Sequence, residues 1–203
     1  PQPWEFRFKP AWQRLFVMAG GVLFNFIFAI IMYISILGIW GESYISNEDK
    51  QIYVNELADE MGFRNGDHII SYDDYIPENF GMLQADLARQ MAQKATVLRG
   101  CDTVEIYIDH NRIGDVLKTP GMFDLAMPFI VDSIPETSQN ADADLIKGDR
   151  IIAIGGNEVE FVQDAWPILA GHSGKTVPVS VLRGADTLAF DLQVDTTGRL
   201  GIF

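Results

Sequence analysis

Asn65-Gly66-Asp67-His68-Ile69-Ile70-Ser71-Tyr72-Asp73-Asp74 returns as Lys147-Gly148-Asp149-Arg150-Ile151-Ile152-Ala153-Ile154-Gly155-Gly156, 82 residues further along the chain. A second pair follows in the same order at an offset of 84: Val97-Leu98-Arg99-Gly100-Cys101-Asp102-Thr103 and Val181-Leu182-Arg183-Gly184-Ala185-Asp186-Thr187. Two matches in register define a duplicated module of about 80 residues, and residues 42–203 hold two such modules with almost no linker. The turn signal Lys118-Thr119-Pro120-Gly121, between apolar runs, places the boundary so that residues 42–120 form the first module and 121–203 the second.

Within each copy the pattern reads the same way. An extended stretch, Ile52-Tyr53-Val54 or Phe129-Ile130-Val131, leads through a polar loop to the Gly-Asp pair. A short apolar strand follows and is turned back by Asp73-Asp74 or Gly155-Gly156-Asn157. An amphipathic helix comes next, predicted over Asn79–Ala92 with Met82, Leu83, Leu87 and Met91 on its apolar side. The second helix is predicted to be shorter, with Asp164 as N-cap and Pro167 in the first turn, where a missing N–H does least harm. Two closing strands flank each Arg-Gly-x-Asp-Thr turn, so the fold is small and mostly antiparallel, with one substantial helix per copy.

Ahead of the repeats, Leu15–Trp40 is a 26-residue run without a charged side chain. As a helix it extends roughly 39 Å, more than the roughly 30 Å of hydrocarbon in a bilayer, so the segment 15–41 reads as a transmembrane helix. A cleaved leader fits poorly, because the run is too long and ends in Ile39-Trp40-Gly41. Arg7, Lys9 and Arg14 precede the span while Glu42, Glu48 and Asp49 follow it, which predicts a cytoplasmic juxtamembrane segment at 1–14 and modules on the far side. Trp4, Trp12 and Trp40 suit interfacial anchoring. Gly21, Asn25 and Ala29 recur every four residues, and together with Gly20 they form a small-residue face suited to a neighbouring transmembrane helix. Asn25 needs an amide partner in lipid, which points the same way.

Composition bounds the function. With 28 acidic against 15 basic side chains in 203 residues, the net charge is −13, which excludes a phosphate-tracking nucleic-acid binder. A hydrophobic fraction of 48% excludes disorder, and the single cysteine, Cys101, excludes a disulfide framework.

The segments Met61-Gly62-Phe63-Arg64-Asn65-Gly66-Asp67-His68-Ile69-Ile70 and Ala143-Asp144-Leu145-Ile146-Lys147-Gly148-Asp149-Arg150-Ile151-Ile152, in the element order above, resemble the PDZ domain of the bacterial, circularly permuted type. That likeness implies two tandem PDZ-like domains, each a small, mostly antiparallel β-barrel or sandwich capped by a helix. Phe8-Lys9-Pro10-Ala11-Trp12-Gln13-Arg14 with Ala19-Gly20-Gly21-Val22-Leu23-Phe24-Asn25-Phe26 resembles the membrane helix before the PDZ insertion in site-2 proteases of the bacterial regulator of sigma-E protease type. Gly21 stands where that family usually has proline.

The resemblance implies a zinc intramembrane protease whose metal is held by a His-Glu-x-x-His helix and a later Asp. The histidines here, His68, His110 and His172, do not form that pattern. The chain therefore reads as a piece of such a protease, with zinc and catalysis carried by the parent protein and neither supplied by these residues. The implied activity is regulated proteolysis of single-pass, anti-sigma-factor-like proteins at the inner membrane, with the PDZ pair on the periplasmic side as a substrate gate. The implied partners are extended peptide segments or C-termini of membrane protein substrates, the lipid bilayer, and neighbouring transmembrane helices. By position the peptide groove would use Ile52, Tyr53, Val54, Leu83 and Leu87 in copy one, and Phe129, Ile130, Val131, Trp166 and Leu169 in copy two, where bulky Trp166 could also obstruct it. A non-proteolytic membrane-anchored adaptor in envelope assembly or secretion is the rival reading. The Gly-Asp pairs read as turn-forming, with Gly allowing positive φ and Asp capping nearby N–H groups.

Overall fold

The computed structural model describes residues 9–41 and 43–203, so Trp4, Arg7 and Glu42 lie outside the described residues. Two compact units emerge, one up to Tyr44 and the other Ile45–Phe203. The first is dominated by helix α1, Ala11–Trp40, which buries none of its 30 residues. It follows Pro10 and ends at Gly41, where φ is 69° and the N–H donates to Leu37 O at 2.9 Å. A helix this apolar that buries nothing within its own unit has lipid as its natural solvent.

The second unit contains β1 (Ile52–Val54), α2 (Glu56–Glu60), β2 (His68–Tyr72), a 3-10 turn (Phe80–Met82), α3 (Leu83–Arg89), β3 (Lys94–Arg99) and β4 (Asp102–Tyr107). A second 3-10 turn (His110–Arg112), α4 (Ile113–Lys118) and β5 (Phe123–Leu125) lead to β6 (Arg150–Ile154), β7 (Asn157–Glu158), α5 (Val162–Gly171), β8 (Thr176–Arg183) and β9 (Asp186–Gln193). One antiparallel sheet runs β2-β3-β4, another β7-β6-β8-β9, and β1 pairs with β5. Two hydrophobic cores form. The first gathers Ile52, Phe63, Leu83, Leu87, Val97 and Val116 and continues past the Lys118–Gly121 turn through Met122, Phe123 and Leu125. The second gathers Leu145, Ile151, Leu169, Val181, Leu192 and Leu200.

The duplication extends to backbone irregularities. The β2–β3 register shifts between Ile69 and Ser71, and the β6–β8 register shifts at the matching place, between Ile151 and Ala153. Asp73 takes φ 49° where the second copy has Gly155 at 58°. The repeated Gly-Asp and Arg-Gly motifs meet. Asp67 receives Arg99 Nε and Nη2, both at 2.8 Å, plus Arg64 N at 2.9 Å, while Arg99 Nη2 also reaches Gly62 O at 2.9 Å. Asp149 repeats the arrangement with Arg183 at 2.8 and 2.7 Å, Ile146 N at 3.0 Å, and Arg183 Nη2 on Asp144 O at 2.7 Å. Each carboxylate is fully buried and its bidentate guanidinium only partly so, which is the geometry that compensates a buried charge.

Five helix expectations are corrected. The first helix does not reach Ala92: it ends at Arg89, because Met91 at φ 48° lets its N–H reach Ala88 O while Ala92 N reaches Leu87 O, a Schellman closure. Met91 is 62% exposed rather than apolar-side packing. The second helix is the longer one, at 10 residues against 7. Its N-cap is Phe161, and Asp164 sits at the third helical position, accepting from Phe161 N at 2.9 Å. Pro167 consequently lies in the second turn and removes the bond that Gln163 C=O would otherwise accept.

Candidate functional site

Equivalent positions on the two helices follow from backbone pairing. The bridge Ser46–Asn79 recurs as Pro128–Phe161. The bond from Phe80 N to Ile45 O recurs as Val162 N to Met127 O. Phe80, Gln84 and Leu87 in α3 and its leading turn therefore stand where Val162, Trp166 and Leu169 stand in α5, a spacing that puts each trio on one helix face.

In the second copy that face opens onto a cavity of about 510 Å³. Phe129, Val162, Trp166 and Leu169 form its apolar wall, and the loop Gly198–Phe203 forms its far side. The loop is tightly held. Asp195 accepts from Thr197 N at 2.7 Å, Thr197 Oγ1 at 2.7 Å and Arg199 N at 2.9 Å. These bonds, Thr197's first, hold its carboxyl below the usual carboxylate range. Asn140 Nδ2 donates to Gln193 O and Leu200 O, both at 2.8 Å, and Gln139 Nε2 reaches Arg199 O at 3.1 Å. At Gly201, φ is 65° and a Cβ would lie 2.8 Å from Ser138 Oγ, so only glycine fits this turn. The N–H groups of Leu200, Gly201 and Ile202 have no acceptor among the described residues. An apolar trough closed by free amides suits an extended chain or a carboxylate.

The expected groove residues divide. Phe129, Trp166 and Leu169 line the cavity together, and Trp166, at 58% exposed, forms its wall and leaves it open. Ile130 is beside them but 48% exposed, and Val131 is buried. In copy one, Ile52, Leu83 and Leu87 are core residues, while Tyr53 and Val54 are half-buried. The β1 strand has no free edge: β5 pairs along one side, while Ile52 N donates to Asp67 O at 2.8 Å and Val54 N to Asn65 Oδ1 at 2.8 Å on the other. Gln84, rather than Leu83, holds the position facing the groove. Val162 and the 198–203 loop were missed, because Phe80, 82 positions before Val162, was not itself singled out. Gly20, Gly21, Asn25 and Ala29 all lie on α1, with space around both glycines and no hydrogen bond from Asn25 among the described residues.

The two copies are joined at the base of α5. Gln163 Nε2 donates to Leu125 O at 2.6 Å and Tyr53 OH to Asp164 Oδ1 at 3.0 Å. The Tyr53 ring meets Phe161 edge-on at 6.2 Å, and burial, then Asp164, raises the phenol's pKa.

Zinc does not fit these residues. No group of three or more His, Cys, Asp or Glu side chains converges among the described residues. His68 Nδ1 is 2.7 Å from Lys50 O and His172 Nδ1 is 2.8 Å from Ile168 O, so each is engaged by local backbone in a separate copy.

Comparison with known proteins gives a family match over residues 1–190, to peptidase family M50. Metalloprotease MmpA of Caulobacter vibrioides is 34% identical over 83 residues, 41% of this chain and 21% of that protein. NMA0084 of Neisseria meningitidis, provisionally named a zinc metalloprotease, is 25% identical over 221 aligned positions, 98% of this chain and 49% of the relative. The chain thus spans half or less of these relatives' length. A solved PDZ domain of an SdrC-like protein from Listeria monocytogenes aligns at 26% identity over 36% of this chain and 82% of its own, with a TM-score of 0.31. With nearly its whole length matched, the chain belongs to peptidase family M50, the site-2 protease family of membrane-embedded zinc metalloproteases.

Proposed function

We propose that this chain is the substrate-gating part of an intramembrane zinc protease, made of a transmembrane anchor (residues 15–41, after a cytoplasmic segment 1–14) and two PDZ-type modules (42–120 and 121–203) on the periplasmic side. The parent protein would cut single-pass membrane proteins of the anti-sigma-factor kind after a first cleavage has removed their outer domains. Zinc and the hydrolytic residues belong to the parent; the role of this chain is recognition.

The observation that carries the reading is the open trough of the second copy, where Trp166, Leu169 and Phe129 face a loop of free backbone amides. A newly cut C-terminus would lie along Phe129-Ile130 with its last side chain against Trp166 and Leu169. Its carboxylate would accept from the amides of Leu200, Gly201 and Ile202. Binding of such an end would select trimmed substrates, and the bulk of an untrimmed outer domain would keep them out.

The test uses the full-length protein with a single-pass substrate supplied trimmed or intact. Trp166→Glu places a charge in the apolar wall, and Gly201→Val fills the turn. Each should lower cleavage of the trimmed substrate roughly tenfold or more while leaving the protein in the membrane. If both variants cut trimmed and intact substrates as the parent does, the groove has no part in selection.

A further inference from the structure

The face of the first copy that corresponds to the open trough is covered by the chain's own α4. Fourteen residues separate Tyr107 from Met122 in Gly121-Met122-Phe123, whereas ten separate the matching Asp191 from Ile202 in Gly201-Ile202-Phe203, where Gly121 and Gly201 both take a positive φ. The four extra residues fall in the segment that carries α4, Ile113–Lys118. Gln84, at the position of Trp166, joins all three parts. Its Nε2 donates to Val116 O at 2.6 Å and to Thr119 O at 2.7 Å, and its Oε1 accepts from Met122 N at 3.1 Å. Met122 N corresponds to one of the amides left free in the second copy, so the same side chain holds α4 down and caps the loop.

We propose that α4 is a plug occupying the first copy's groove in cis, and that this groove accepts an extended peptide end only when α4 lifts away. The inference rests on the reading of the open trough as a peptide site. The plug is lightly fastened. Val116 is its one buried side chain, Leu117 is 71% exposed, and its leading turn is tied by a surface pair, Arg112 to Glu60 at 2.7 Å. Surface pairs of that kind hold weakly, so Val116, the half-buried Ile113 packed on the first core, and Gln84 carry most of the attachment. The two copies would then differ in availability: one groove open at all times, the other latent.

The experiment uses the whole chain in detergent micelles with a pool of fluorescein-labelled decapeptides, randomised in their last four positions and ending in a free carboxylate. Trp166→Glu silences the open groove. On that background, Gln84→Ala should restore peptide binding, and amide exchange at 113–118 should speed up by roughly tenfold or more without change in β2–β4, as expected from losing two or three hydrogen bonds. A second variant replaces Asn111–Lys118 by two glycines and should bind more tightly still. Because Gln84→Ala leaves Val116 in place, it keeps the test valid if the deletion does not fold. If the unmodified chain binds the pool and Trp166→Glu abolishes it, but neither plug variant restores it, the plug is overturned and the open groove stands. If no variant and not the unmodified chain binds the pool, both readings fail.

Discussion

At the scale of single residues, the repeated acid and its arginine are the strongest structural statement the chain makes. Asp67 and Asp149 are sealed from solvent, each holds a backbone N–H of its own turn, and each takes both arms of an arginine 32 or 34 residues away. Removing one partner of such a pair leaves a buried charge or an empty fork, so Asp67→Ala should cost about 3 kcal/mol. In a unit of this size that lowers the thermal midpoint by roughly 6–12 °C; a fall below about 2 °C in a thermal melt would show the pair to be ornamental. Asp149 adds a pH dependence. Its hydrogen bonds from Arg183, then from Ile146 N, hold its pKa below the ordinary carboxylate value. The unfolded chain therefore binds more protons in acid than the folded one. The contribution is complete above the unfolded pKa of about 4 and is lost as pH falls through the folded value. Urea midpoints measured from pH 7 down to pH 3 should fall more steeply for the unmodified chain than for Asp149→Asn. Parallel slopes would contradict the assignment.

At the scale of elements, Pro167 gives the least intuitive expectation. It lies in the second turn of α5, where it removes a backbone hydrogen bond, so Pro167→Ala should stabilise the second copy by about 1–3 kcal/mol. Slower amide exchange at Gln163–Leu169 and a raised melting midpoint would register it; a destabilised variant would mean that the fixed φ of Pro167 is needed to shape the groove. The same helix shows what the sequence could reveal. Asp164 followed by Pro167 is a sound local signal for a helix start, but the start is set by Val162 N reaching Met127 O, a contact between segments 35 residues apart. Period, turn chemistry and duplication were enough to find the repeated strands β2, β3 and β4 with β6, β8 and β9, and the positions of Trp166 and Leu169, whereas β5 and β7 were missed and Phe129–Val131 forms only an isolated bridge at Ile130. The pairing of Asp67 with Arg99 was not legible although both motifs were, since two repeats at fixed offsets do not say which motif touches which. Nor was α4, whose residues Ile113-Gly114-Asp115-Val116-Leu117-Lys118 have no counterpart in the second copy. A short helix carrying a glycine has little intrinsic stability and forms here because Val116 finds a core and Gln84 holds its end.

Across the whole second unit, the open groove is positioned by the first copy as well as by its own. The N-terminal turn of α5 hangs from the first copy through Gln163 on Leu125 O and Tyr53 on Asp164. Gly66 fits against the same joint: at φ 85°, a Cβ there would sit 3.4 Å from the Phe161 ring. Two cores fastened this way should lose their structure together, because opening either one exposes the other's bonding partners. Tyr53→Phe removes one hydrogen bond and Gln163→Ala another, each worth about 1 kcal/mol, without touching a core side chain. The double variant should uncouple the cores. Exchange at β6 and β8 should then report a lower opening free energy than exchange at β3, whereas in the unmodified chain the slowest amides of both sheets share one value. Groove binding should weaken in the same variant even though neither substituted residue lines the trough, because α5 would lose the anchor that fixes Trp166 relative to the 198–203 loop. Unchanged binding with uncoupled exchange would show that the second copy shapes its groove alone. Unchanged exchange would show that the joint transmits nothing, and the two copies would then act as independent modules on one tether.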